Sequence, residues 1–149
     1  MVDRDLHVMP RASYRPFHIV LVPIAMVCFI GALATDLAYW KSAEMMWADA
    51  SAWLLAVGLL FGLVAIIAAV VDAFTRRLSL MQGPIWLYAI CNALILVLSF
   101  LNALVHSRDA WTSVVPMGLI LSTATVVFIL IAGWICWALI DYESTGVEP

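Results

Sequence analysis

Four long apolar runs decide what this chain can fold into. They extend from His18 to Trp40, from about Ala50 to Phe74, from Pro84 to Val105 and from about Ser113 to Ile140. Each exceeds the roughly 20 residues that an α-helix needs to cross about 30 Å of hydrocarbon. Membrane-barrel strands are much shorter and alternate in polarity, so the runs read as helices. Composition agrees, with 66% hydrophobic and 11% charged residues, against roughly 45–50% and 25% in soluble domains. So few polar residues cannot cover a water-exposed surface, and the apolar excess must face lipid. The same figures exclude disorder, which needs low hydrophobicity and high charge. The expected fold class is an all-α polytopic membrane protein, a four-transmembrane-helix up-down bundle. It comprises an N-terminal segment 1–17, a single transmembrane domain 18–140 and a tail 141–149.

Arg4, Arg11 and Arg15 ahead of the first run give it the outline of a secretory signal, with Ala32-Leu33-Ala34 as cleavage site. The apolar stretch continues past Asp36 to Trp40, so a retained helix is expected. Connections at Lys41–Asp49, Thr75–Gly83 and His106–Thr112 are short, which makes neighbouring helices antiparallel. Pro84 suits a first helical turn, and Asp49, Ser51, Thr112 and Ser113 are candidate N-caps. Arg4, Arg11, Arg15, Arg76 and Arg77 fall on one side, and only Lys41 and Arg108 on the other. That bias places both termini in the cytoplasm. Trp40, Trp47, Trp53 and Trp111 belong at the outer interface and Trp86 at the inner one. Trp134 and Trp137 lie deeper along the last run, where packing is the expected explanation.

Lipid supplies no hydrophobic drive between helices, so close packing falls to small residues. Gly58 and Gly62 form a G-x-x-x-G extended by Ala65 and Ala69, and Gly118, Ser122, Thr125, Ala132 and Cys136 form a second stripe. Packing within the bundle explains both. Gly58 and Gly62 would also serve a homodimer or a membrane-complex partner. Cys28, Cys91 and Cys136 all lie in apolar stretches and imply no disulfide framework or metal pair. The seven Lys and Arg residues form no basic stripe with interleaved aromatics, so nucleic acid is no partner.

Ionisable and amide residues inside spans are the functional candidates: Asp36, Asp72, Asn92 and Asn102, with His18 and His106 near span ends. Helix alternation sorts them into an outer group of Asp36, Asn102 and His106, with Arg108 or Asp109 nearby. His18, Asp72, Arg76 and Arg77 form an inner group, in which Asp72 and Arg76 can meet at i,i+4. Each group is readable as a satisfied helix-end network, a proton or ion site, or a quinone headgroup site. His18 and His106 are the cofactor candidates, for haem b or quinone. A shared haem iron would need both imidazoles at one depth, and alternation puts them at opposite ends. No nucleophile elbow, P-loop, dinucleotide fingerprint or zinc-protease motif occurs.

The run His18-Ile19-Val20-Leu21-Val22-Pro23-Ile24 followed by Thr35-Asp36-Leu37 resembles the start of bacterial four-span membrane proteins called domain of unknown function 2231. Val71-Asp72-Ala73 closing the second run, Gly133-Trp134 in the last and Gly146-Val147 beyond it are similar to that family's pattern. The likeness covers about residues 18–147. Family members often carry a second histidine where this chain has Leu21 or Val22, and another where it reads Tyr142-Glu143-Ser144-Thr145. Some are joined to a Rieske-type iron–sulphur domain. The resemblance thus implies a four-span bundle of the bacterial inner membrane in redox surroundings. The absence of catalytic motifs, the small-residue stripes and the minimal loops point to a protein without evident catalytic activity, an accessory or structural subunit of a respiratory or redox complex. Two other readings are a small electron-transfer protein binding haem or quinone, and a proton or ion transporter using Asp36.

Overall fold

The computed structural model describes residues 18–74, 83–107 and 114–145. Four helices account for them: α1 (His18–Ser42), α2 (Met45–Phe74), α3 (Gly83–His106) and α4 (Leu119–Thr145), the last entered through a wide turn at Val114–Gly118. All four are long and apolar enough to cross a membrane. The described residues contain no strand. The protein is an all-α four-helix membrane bundle.

Local chemistry shifts the helix ends from those expected. The first connection shrinks to Ala43-Glu44, because α2 begins at Met45. Ala43 takes a left-handed φ of 56° and its amide bonds the Tyr39 carbonyl at 2.8 Å, closing α1. Ser42 secures the turn, donating to Ala38 O and accepting from the Glu44 amide. Asp49 and Ser51 therefore lie inside α2 and cap nothing. Ser51 is buried instead, with Oγ donating to the Ala32 carbonyl of α1 at 3.4 Å. At the other hairpin, Val115 is extended at φ −121° and ψ 124°, as the residue before a proline prefers. Regular helix starts only at Leu119. The candidate caps Thr112 and Ser113 fall outside the described residues.

α1 packs closely with α2, and α3 with α4, so the bundle is two antiparallel hairpins set side by side. Glycines set the approach. A Cβ on Gly58 would lie 2.5 Å from Phe29 Cε1 and 3.1 Å from Cys28 Cβ, so α1 rests directly on the α2 backbone there. Gly62 receives the Leu96 side chain of α3 in the same way. Both glycines are buried by their own chain, as bundle packing requires. An apolar core of Ala25, Phe29, Ala32, Leu55, Cys91, Ile95, Ile129 and Ala132 fills the middle. A separate cluster of Tyr39, Ala48 and Val114, flanked by Met45, Trp47 and Val115, caps the end where α1 finishes and α4 begins.

Trp134 and Trp137 do not pack inside. They are 71% and 61% exposed, in contact with each other at a centroid spacing of 5.8 Å. They occupy the last turns of the apolar part of α4, which ends at Ala138. That is the interfacial depth tryptophan prefers. Trp40 and Trp53 are likewise exposed.

Candidate polar site between the hairpins

Asp36, one and a half turns from the end of α1, is fully buried at 0% exposure. An isolated carboxylate there would be prohibitively costly, so its partners define the site. One oxygen, Oδ1, lies 3.0 Å from His106 Nε2 of α3, whose side chain is only 2% exposed. The other, Oδ2, accepts a short hydrogen bond from the Ser122 hydroxyl of α4. Ser122 Oγ in turn accepts from Asn102 Nδ2 at 2.7 Å. His106 Nδ1 lies 3.0 Å from the Asn102 backbone carbonyl. Four side chains from three helices thus form one hydrogen-bonded network, and Asp36 links the first hairpin to the second.

The donors and acceptors fix the direction of nearly every bond. A carbonyl only accepts, so Nδ1 carries a hydrogen. Ser122 accepts from the amide and therefore gives its own hydrogen to Oδ2. One proton is left to place, on the axis between Nε2 and Oδ1. It sits on nitrogen as an imidazolium–carboxylate pair, or on oxygen as a neutral pair. Both forms have the same proton count and the same hydrogen bonds.

Helix geometry explains the convergence. Asn102 and His106 are four residues apart on α3, and Gly118 and Ser122 four apart on α4, so each pair shares a face. Gly118 is the close-approach position. A Cβ there would lie 3.0 Å from His106 Cε1 and 3.4 Å from Asn102 Oδ1. Asn102 Oδ1 and Ser99 Oγ, both buried, lack a protein partner. The Tyr39–Ala48–Val114 cap closes the site from its near end, and the apolar core lies on its far side.

Of the residues singled out from sequence, Asp36, Asn102 and His106 meet as the outer group anticipated. Arg108 and Asp109 fall outside the described residues. Ser122 completes the site, although its stripe reads as packing surface. Asn92 takes no part: its Nδ2 bonds the Tyr88 carbonyl of its own helix at 2.8 Å. Asp72 is buried near the opposite end, on α2. Its expected pairing with Arg76, and the contribution of Arg77, lie outside the described residues, as does the His18 side chain. His106 has both ring nitrogens engaged, so in this arrangement it offers no free nitrogen to a haem iron. Among the described residues no cluster of His, Cys, Asp and Glu could hold a metal. A shallow groove at Leu119, Ile120, Thr123, Ala124, Val127 and Phe128 is almost wholly apolar, and none of the four network residues lines it.

Fold and site together define a multi-pass membrane bundle with a buried carboxylate–imidazole network among the described residues. The chain belongs to the predicted membrane protein family DUF2231, whose model matches residues 14–149. No curated protein and no solved structure matches it.

Proposed function

We propose that this protein is a non-catalytic bundle of the bacterial inner membrane, acting as an accessory or structural subunit of a respiratory or redox complex. The observation that carries the non-catalytic reading is the self-closure of the Asp36 network. Its carboxylate, imidazole and hydroxyl are all engaged in joining helices, beneath an apolar cap. A catalytic or ligand site would leave such groups facing a cavity. The redox setting rests on the family resemblance, and cytoplasmic termini on the Lys/Arg bias. The domain is taken as residues 18–140, and Asp36 then lies at the outer end.

Through-transport has weaker support. From Asp36 down to Ala25, about 16 Å along α1, the described interior offers the Ser99 and Thr125 hydroxyls about one turn from the network and then passes into the apolar core. Electron transfer through His106 would require the imidazole to leave Asp36 or Asn102. Dimerisation through Gly58 and Gly62 would require α2 to shed Phe29 and Leu96, so a partner fits better on the lipid-facing sides.

Mild detergent extraction followed by affinity capture should recover a stoichiometric membrane partner. The purified protein should be colourless, with identical oxidised and dithionite-reduced absorption spectra. A clean monomer would remove the accessory role. A reduced-minus-oxidised haem signal, or co-purifying quinone, would transfer the function to electron transfer.

A further inference from the structure

We propose that the Asp36–His106–Ser122–Asn102 network is a single-proton lock between the two hairpins: each bond that links the four side chains has its hydrogen at one proton count, and gaining or losing a proton costs one of them. The inference goes beyond the accessory-subunit reading and rests on the donor and acceptor inventory alone. With one proton between Nε2 and Oδ1, every contact in the chain from Asn102 Nδ2 through Ser122 to Asp36 and His106 has one hydrogen.

Add a proton, and the pair becomes imidazolium with carboxylic acid. Oδ1 still accepts from Nε2–H, but Oδ2–H now points at the Ser122 hydroxyl that was donating to it. Ser122 Oγ can accept that hydrogen beside the Asn102 amide, but its own hydrogen must then turn away from Asp36, and with Asn102 Nδ2 facing Ser122 it finds no acceptor in the network. Remove the proton, and the Nε2 lone pair faces a carboxylate oxygen at 3.0 Å, two acceptors with nothing between them. Losing the proton breaks the contact between α1 and α3, and gaining one strands a buried hydroxyl hydrogen where α1 meets α4. Few other groups near the pair can absorb the change. On α1 the neighbours are Tyr39, inside the cap, and Lys41, exposed at the helix end. Glu44 in the connector and Asp49 on α2 are exposed, and the other ionisable groups of α3, Tyr88 and Cys91, lie about four to five turns from His106. Over Val114–Ile129, α4 carries no ionisable side chain at all.

Asp36→Asn separates the two limbs. Its amide can donate to Nε2 of neutral His106 while its carbonyl accepts from Ser122, reproducing the complete network without a removable proton. Thermal midpoints of the purified protein in detergent micelles should be measured across pH for wild type and Asp36→Asn. The wild type should show a maximum, falling by roughly 5 °C on each side, the size of one buried hydrogen bond lost. Asp36→Asn should fold, keep the acid fall and lose the alkaline one. A distance between spin labels at Lys41→Cys and Ser107→Cys, in a background without the native cysteines, should lengthen on both wild-type limbs. An alkaline limb of equal size in both proteins would overturn the proposal, as would an unfolded Asp36→Asn variant. A label distance constant across pH would do so too.

Discussion

Asp36→Ala is expected to be the most damaging single substitution in the membrane-spanning part of the protein. Removing the carboxylate leaves His106 Nε2 and the Ser122 hydroxyl facing a void inside the bundle. Breaking one side of a buried pair costs about 3 kcal/mol or more, because the abandoned groups cannot turn to water. Asp36→Asn refills the space and supplies both a donor and an acceptor, so its cost should stay within about 1 kcal/mol near neutral pH. Reversible unfolding in mixed micelles, followed by circular dichroism, measures both. Equal losses for Ala and Asn would mean that the carboxylate charge, and not the completeness of the network, holds the site.

Gly58→Ala should rank next. The added methyl would meet the Phe29 ring at 2.5 and 2.9 Å and the Cys28 Cβ at 3.1 Å. Phe29 is almost fully buried in the apolar core, so its ring cannot swing aside without displacing neighbours. Overpacking of this kind costs about 1–3 kcal/mol. The comparison within α2 is informative. At Gly62 the obstacle is the end of the Leu96 side chain, which can change rotamer. Gly62→Ala should therefore cost less than Gly58→Ala. Gly133→Ala, with nothing within 4 Å of the added carbon, should be neutral. Unfolding midpoints for the three variants test this order. A neutral Gly58→Ala would show that α1 and α2 are not pressed together at Phe29.

Much of the architecture is legible in the chain because hydrocarbon leaves few alternatives. Apolar runs of this length must be helices, and short connections must return them antiparallel. The start of α2 is less legible. Lys41, Glu44 and Asp49 look like a loop, yet the helix runs through Asp49 because that carboxylate faces outward while Ala48 and Ser51 turn inward. Trp134 and Trp137 mislead in another way: an all-round apolar run does not mark which side of α4 faces lipid, and both point outward within about one turn of the end of its apolar part. At the site, alternation is enough to bring Asp36, Asn102 and His106 to one end. Ser122 is hidden because a small hydroxyl residue serves equally as packing surface and as hydrogen-bond donor. The available signal is register. Once His106 lies against Gly118, one further turn on each antiparallel helix sets Asn102 beside Ser122.

Those four residues also explain how two hairpins hold together in lipid. Within each hairpin, glycines and small residues allow close van der Waals contact. Between hairpins, the Asp36 carboxylate supplies directional bonds to α3 and α4. A double-mutant cycle on Asp36→Ala and His106→Ala, with unfolding free energies measured in the same micelles, isolates that link. The account predicts a coupling energy of about 1–2 kcal/mol, at the upper end for polar contacts between membrane helices. Strict additivity of the two substitutions would contradict it, since Asp36 and His106 would then stabilise the bundle independently of each other.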